Sequence, residues 1–430
     1  MRALLVCGVL AAARLCTCAD LLGDWIAVVN ANHADPVYAR VQLTVKNGTV
    51  SGSWNQMTVQ GKLAGIKLQI VLLRDTVPMG TLTGTLTAQG CSGEGQMNGS
   101  ANEGSSTMNS VTWSLTRPAR PPAGGPRAID FEPSTFHGYY SASLAPVLHI
   151  FPGDTLRSRT FDASGRDADR RGPGGNPETG PFFIEGALPG DTLVVKLKKL
   201  RLNRDSARQS THINGRTVTP AYVANAKYDQ EYTVDWTLDS EKGIARLTHP
   251  SEKMKNFSVP LLPMLGCIST APASRASYRA TELGPFGGNI DYNQMIEGVT
   301  LYLPVFHAGA LLTFGDGHAA MGDGELTGTA LETSLDVEIT VDLIKNYATA
   351  FPRLENDVFV MSIGVAGSVP DAIQFATAQL ADWIKQQFGL SDSEVGIVLG
   401  SVAKYDIAEM VDPQFSVVAK VPKAALAAFK

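Results

Sequence analysis

The sequence predicts a mainly β protein, with an N-terminal antiparallel β sandwich or barrel and a larger β domain whose C-terminal part is α+β. Three observations carry that expectation. Only 18% of the residues are charged while glycine reaches 42 and proline 24, a balance that suits turn-rich β architecture better than helical bundles or disordered tails. Short segments alternating apolar and polar residues recur along the first quarter of the chain, which is the period of a half-buried strand. One stretch alone, 371–388, carries a clear helical apolar stripe. The 430 residues allow two or three domains with full cores, at about 150 residues per domain. With 36 basic against 41 acidic residues there is no broad basic surface to neutralise phosphates, so nucleic acid is not an expected partner.

Taken in order, Met1-Arg2 is followed by an apolar run from Ala3 to Ala13, the length of an export-signal core and too short to cross a bilayer. Residues 1–19 are therefore expected to be a signal peptide. Thr17-Cys18-Ala19 supplies the small residues of a cleavage site, and the mature chain is expected outside the cytoplasm, periplasmic or extracellular, without a transmembrane helix. A lipid anchor on Cys18 is the alternative. Cys91 and Cys267 have no CxxC partner, so neither a zinc finger nor a disulfide framework is expected, and both read as buried small hydrophobes.

Residues 20–116 form the first β domain. Segments 25–29, 39–45, 49–54, 66–72, 81–87 and 111–115 read as strands, and Asn47-Gly48 is a two-residue hairpin turn because both positions need positive φ. Gly104-Ser105-Ser106 lies in a polar loop. The Pro- and Gly-rich stretch 117–130 prefers extended solvated backbone and is the expected linker. In the second domain, 131–430, strands are expected at 146–151, 155–160, 301–306 and 358–365. The string Pro-Gly-Asp-Thr-Leu occurs at both 152–156 and 189–193, either an internal duplication or an efficient turn before a strand. Segment 166–176 is a loop, and 203–216 is a lid or a solvated loop. The helix 371–388 ends before Gly389, and 394–399 and 415–419 read as further extended segments.

Three polar clusters stand out. Phe314-Gly315-Asp316-Gly317-His318-Ala319-Ala320-Met321-Gly322-Asp323-Gly324-Glu325 packs an imidazole and carboxylates among glycines, so backbone can approach a ligand closely. Asp316, Asp323 and Glu325 offer hard oxygen ligands, and His318 offers nitrogen or acid–base chemistry. The alternative is a glycine-rich β-turn carrying solvated acids. Gly284-Pro285-Phe286-Gly287-Gly288-Asn289-Ile290-Asp291 is the second cluster. In the third, after Asn176-Pro177-Glu178-Thr179-Gly180-Pro181, Glu185 projects from an apolar strand where an unpaired carboxylate is costly, and a bound cation or a raised pKa would relieve that cost.

These clusters, with Ile184-Glu185-Gly186-Ala187-Leu188-Pro189-Gly190-Asp191, Leu301-Tyr302-Leu303-Pro304 and Val411-Asp412, resemble the acetamidase/formamidase family over residues 131–429. The resemblance implies a β-rich fold with a jelly-roll-like portion, hydrolysis of short linear amides to carboxylate and ammonia, and a bound divalent metal, zinc or calcium. It marks Asp162, Glu185, Asn289, Asp291, Asp316, His318, Asp323 and Glu325 as the matching polar positions. On that basis His318, Glu325 and Glu185 are the expected catalytic groups, Asn289 and Gly288 the substrate-binding positions, and Asp162, Asp291, Asp316 and Asp323 the metal ligands. The expected partner is a small amide, and homo-oligomerisation is left open. Phe286 and Met321 depart from the family's usual His and Gln.

An amide carbonyl is a poor electrophile, so hydrolysis near neutral pH needs activated water, oxyanion stabilisation and protonation of the leaving nitrogen. A cation held by these acids beside His318 would supply the first two, with Glu325 or Glu185 moving the proton. No GxSxG elbow points to serine chemistry. The alternative is an exported metal- or small-ligand-binding protein on the same scaffold, without turnover.

Overall fold

The computed structural model describes residues 21–31, 35–98, 108–228 and 231–429. The expected signal segment 1–19 with Cys18, and the Gly104-Ser105-Ser106 loop, lie outside the described residues. The chain divides into two compact units between Arg120 and Pro121.

The first unit is an up-and-down antiparallel barrel of β1 (Gly23–Ala31), β2 (Val37–Lys46), β3 (Thr49–Trp54), β4 (Met57–Ala64), β5 (Lys67–Arg74), β6 (Val77–Thr87), β7 (Gly90–Asn98) and β8 (Met108–Thr116), closed by pairing of β1 with β8. Asn47 and Gly48 take φ of 50° and 74°, as the hairpin between β2 and β3 requires. Strands β4 and β7 were not expected from the sequence. Gly61, Gly93 and Gly95 stand where an apolar residue would have marked the inward face, so the two-residue period is broken there.

The barrel interior is filled by side chains rather than hollow. Trp25, Trp54 and Trp113 are buried with Leu43, Ile70, Leu72 and Leu82. Trp54 and Trp113 meet edge to face with centroids 6.3 Å apart. Trp113 lies over Gly84, where a Cβ would sit 2.5 Å from the indole ring, and it donates Nε1–H to the carbonyls of Thr83 and Glu94 at 3.1 and 3.2 Å. Glycine at position 84 is thus the condition for an indole at 113.

The second unit packs two sheets face to face. One runs in the order Lys404–Glu409, Phe415–Pro422, Phe359–Ala366, Arg353–Glu355, Thr300–Pro304, Thr192–Leu202, Leu335–Ile344, Thr155–Arg159, Ala128–Asp130. The other contains Glu178–Ile184, Leu312–His318, Met264–Ser269 and Gly287–Asn289 in adjacent positions. Leu193, Val195, Leu301, Leu303, Val337 and Ile339 of the first meet Phe182, Ile184, Leu265, Ile268, Leu312 and Phe314 of the second in one apolar core. A smaller sheet, Ser206–Ser210, Thr233–Asp239, Ile244–Leu247 and Ser258–Pro260, takes up part of the segment expected as a lid or loop.

The helix Val369–Phe388 covers the outer face of the larger sheet, packing Ala376, Leu380 and Ile384 on Val360, Ala419 and Val421. Ser368 caps its first turn and Gly389 ends it with φ of 65°. Residues 394–399, expected to be extended, belong instead to a second helix, Asp392–Val402. Ser391 and Glu394 form a reciprocal capping box there, and that N-terminal signal outweighs the β-branched content of the segment. Both Pro-Gly-Asp turns use the same chemistry. Phe151 N donates to Asp154 at 3.0 Å, and Leu188 N donates to Asp191 at 2.9 Å. The recurrence thus follows from a shared turn geometry.

Trp54→Ala should remove about 3–5 kcal/mol from the unfolding free energy of the barrel, read by denaturant titration of the full chain. A loss below about 1 kcal/mol would contradict a packed interior.

Candidate active site

The strand Leu312–His318 is buried along its whole length and runs beneath the candidate site. It was expected as a glycine loop. Its glycines instead let neighbouring groups lie flat against a strand: Gly315 faces the Glu178 carboxylate, and Gly317 faces the Thr333 carbonyl. Asp316 takes φ of 54°, which breaks the strand alternation and lets its carboxylate lie over Gly266 of the neighbouring strand. A Cβ at position 266 would stand 2.4 Å from Asp291 Oδ1 and 2.9 Å from Asp316 Oδ2, so glycine there makes the room these two carboxylates occupy. Asp291 and Glu325 also adopt left-handed backbone, with φ of 42° and 46°. Non-glycine residues in that region cost about 1–3 kcal/mol each and persist where surrounding packing imposes them.

His318 is completely buried at the centre. Its Nε2 lies 3.2 Å from Asp316 Oδ1 and 3.4 Å from Glu332 Oε2, and its Nδ1 lies 3.9 Å from Asp291 Oδ1. None of these contacts is aligned as a hydrogen bond, so the ring nitrogens meet carboxylates only as charge pairs. Both oxygens of Asp291 and one oxygen each of Glu178, Asp316, Glu332 and Glu409 are likewise buried without a hydrogen bond. Bridges from His318 to Glu332 and from Gly324 to Glu409 bring the later segments in.

A chain of contacts continues to one side. Cys267 Sγ donates to Asn289 Oδ1 at 2.6 Å, Asn289 Nδ2 donates to Asp412, and Tyr140 OH donates to Glu178 Oε1 at 3.3 Å. Asn176 Nδ2 reaches Asp316 Oδ2 at 3.4 Å.

The electrostatics follow from burial. Desolvation, reinforced by the Asp316 charge, pushes Glu178 up to about 8. Desolvation and the neighbouring Glu409 push Asp412 up to about 7. Burial, then the charge of Asp316 on Asp291 and of Asp291 on Glu325, holds those two carboxyls well above the usual carboxylate range. Burial alone would lower His318, but Glu332 and Asp316 outweigh it and hold the imidazolium well above its ordinary value. Burial would also raise Asp316, and His318 reverses that.

Three overlapping groups place their ligand atoms within 4.8 Å of one another: Asp291–His318–Glu325, Asp316–His318–Glu332 and Asp291–Glu409–Asp412. Buried carboxylate oxygens around an imidazole whose nitrogens make no aligned hydrogen bond are the donor set a divalent cation satisfies once it displaces the imidazolium proton, so the residues fit the metal that the sequence resemblance implies.

A profile of the Acetamidase/Formamidase family matches residues 274–424. The chain is 36% identical over 230 residues to an acetamidase of Mycolicibacterium smegmatis, covering 42% of this chain and 57% of that protein. It is 22% identical over 277 residues to a formamidase of Methylophilus methylotrophus, covering 52% of this chain and 67% of that protein. Among solved structures, the acetamidase from Yersinia enterocolitica superposes with a TM-score of 0.62 at 30% identity, over 71% of this chain and 94% of that one. The chain belongs to the acetamidase/formamidase family.

Within this family member the expected site residues part company. His318, Glu325, Asp291 and Asp316 converge. Asn289 lies beside them with its amide engaged by Cys267 and Asp412, and Gly288 precedes it on the buried strand Gly287–Asn289. Asp162 does not stand among the candidate ligand groups with a free oxygen. It is ion-paired with buried Arg204 and accepts from Ser164 Oγ and Arg166 N at 2.7 and 2.9 Å. Arg204 also donates to the Glu332 carbonyl at 3.0 Å, so this pair braces the cluster from behind. Asp323 is exposed and accepts from Asn293 Nδ2 at 2.6 Å. Glu185 is half-buried, 2.7 Å from His149 Nδ1, and that partner offsets the burial cost on which its selection rested.

Sequence reasoning passed over Glu178, Glu332, Glu409, Asp412 and Cys267. Glu332 in Ala330-Leu331-Glu332 and Glu409 in Ile407-Ala408-Glu409-Met410-Val411 are acids inside apolar runs, the same sign that singled out Glu185.

Because Glu178 holds its proton up to about 8 when folded, against an ordinary 4.5, the stability it contributes is complete below 4.5 and lost as pH rises through 8. In chelator, the Tm of the native sequence should therefore fall more steeply across that window than the Tm of Glu178→Gln. Equal slopes would contradict a buried, protonated Glu178.

Proposed function

We propose that this chain hydrolyses short linear amides of the acetamide and formamide type to carboxylate and ammonia at the His318 cluster. The observation that carries the reading is the convergence of Asp291, Asp316, Glu325 and Glu332 on one buried imidazole, with Glu409 and Asp412 joined to them through Asp291 and several of the buried oxygens left without a hydrogen bond. The names of the relatives supply the substrate class, and the geometry is compatible with it.

Asp291, His318 and Glu325 are the residues that would hold a divalent cation, with Glu332 and Glu409 as neighbouring donors. When bound, such an ion polarises the amide carbonyl and lowers the pKa of water. The chain's own groups do the rest. Asp412, pushed to about 7, is poised to accept a proton from attacking water at neutral pH. Glu178, pushed to about 8, still carries a proton there and is suited to donate it to the leaving nitrogen. Cys267 and Asn289 stand between them and fix the Asp412 carboxylate through the Asn289 amide. The burial of Cys267 and the charges of Glu178 and Asp316 hold its thiol well above the ordinary range, so it serves as a hydrogen-bond donor rather than a nucleophile.

Ammonia release from acetamide and formamide by the purified protein tests the reading. His318→Ala should lower it by at least ~100-fold, and chelation should abolish it reversibly. Glu185→Gln, altered at a carboxylate paired with His149 and absent from the His318 cluster, should leave it unchanged. A protein that is thermally stabilised by metal or amide yet releases no ammonia would be the binding protein of the alternative reading.

A further inference from the structure

Outside the acid cluster, one buried side chain lacks the partner its charge requires. Arg353 is 4% exposed, yet no described carboxylate lies within 4.0 Å of its guanidinium. Its one hydrogen bond runs from Nη1 to Tyr347 OH at 3.0 Å, and its Nε is buried without an acceptor. Arg353 stands on the strand Arg353–Glu355 of the larger sheet, paired with Tyr302 on one side and Ser362 on the other. The Ser362 hydroxyl is buried and unpartnered as well.

The helix Val369–Phe388 brings Trp383 over the guanidinium at 5.3 Å and edge-on to Tyr302 at 5.8 Å. The Tyr347 hydroxyl donates onward to Gln386 Oε1 at 3.0 Å. Together with Thr192 these residues line a cavity of about 340 Å³, at the lower end of the range of small-molecule sites.

Charge accounting singles out Arg353. Glu355 also lines the cavity, but its carboxylate is matched by Lys423 Nζ at 2.8 Å and accepts from Tyr302 OH at 2.5 Å. That pair is neutral, and one positive charge is left over. The indole face attracts a guanidinium but accepts none of its in-plane N–H groups, and with Nε sealed off it is the Nη end that an acceptor in the cavity would meet. A planar fork of two N–H donors matches the two oxygens of a carboxylate. The aromatic walls would gain nothing from a bare inorganic anion, whereas they would bury a flat apolar body.

We propose that this cavity binds a small organic carboxylate with a flat apolar body, its oxygens on the Nη end of the Arg353 guanidinium and its body against Trp383 and Tyr302. None of these residues belongs to the His318 cluster, so the site stands whether or not the amidase reading holds.

The test titrates the full-length protein with benzoate, benzyl alcohol and inorganic phosphate, following tryptophan emission and calorimetric heat. Benzoate should saturate below about 1 mM, with the alcohol and phosphate at least ~tenfold weaker, the size of one charge-assisted contact or one lost apolar surface. Trp383→Phe should remove the emission change while calorimetric binding persists, and Arg353→Gln should weaken benzoate at least ~tenfold. Should Arg353→Gln fail to fold, the ligand series and Trp383→Phe decide the matter alone. Benzoate without saturation, benzyl alcohol or phosphate binding as tightly, or an emission change that survives Trp383→Phe would overturn the proposal.

Discussion

Taking many carboxylates out of water around one imidazole is the most expensive thing this chain does, and much of the second unit is arranged to make it tolerable. Isolated buried charges cost several kcal/mol each after relaxation, and acids forced together raise one another's pKa rather than ionise in concert. Two sheets supply a rigid apolar frame, so the backbone beneath the acids cannot relax away from them. Gly266 clears the space, left-handed φ at Asp291, Asp316 and Glu325 aims the carboxylates inward, and the Arg204–Asp162 pair anchors the Glu332 segment. The cost is placed where a cation and a reaction would draw on it.

The same electrostatics bear on which molecules the proposed site suits. A short amide is neutral and enters an acidic pocket without charge repulsion. The carboxylate it yields carries the same sign as Asp316 and its neighbours, which favours release. Half-buried Asp412 and buried Glu178 both keep their protons well above the usual carboxylate range, which suits each to proton transfer near neutral pH.

The barrel and the Arg353 cavity show two other answers to burial. The barrel core is filled by apolar side chains, and the Trp113 N–H finds carbonyls of the adjacent strands. Beside the long helix, Arg353 is buried against aromatic rings that attract its charge but leave donors open. Burial with complete satisfaction reads as scaffold. Burial with open donors or acceptors reads as a place made for something else.

Local pattern was enough to make much of this protein legible. Alternation found most barrel strands, Asn47-Gly48 found its hairpin, the 3.6-residue stripe found the helix ending at Gly389, and the ordered motifs pointed to the family. Where glycines erased the alternation, at 57–64 and 90–98, the strands went unread. At 394–399 a capping box outweighed apparent strand content. The site divides along the same line. The sequence by itself determined that acids and His318 would lie near glycines that permit close approach, because residue type and spacing are local properties. Which acids meet was decided only by tertiary structure. Glu332, Glu409 and Asp412 arrive through pairings between distant segments, whereas Asp162, Asp323 and Glu185 find partners elsewhere, in Arg204, Asn293 and His149. Whether a carboxylate is free or spent depends on what stands across from it, and that neighbour is set by the fold.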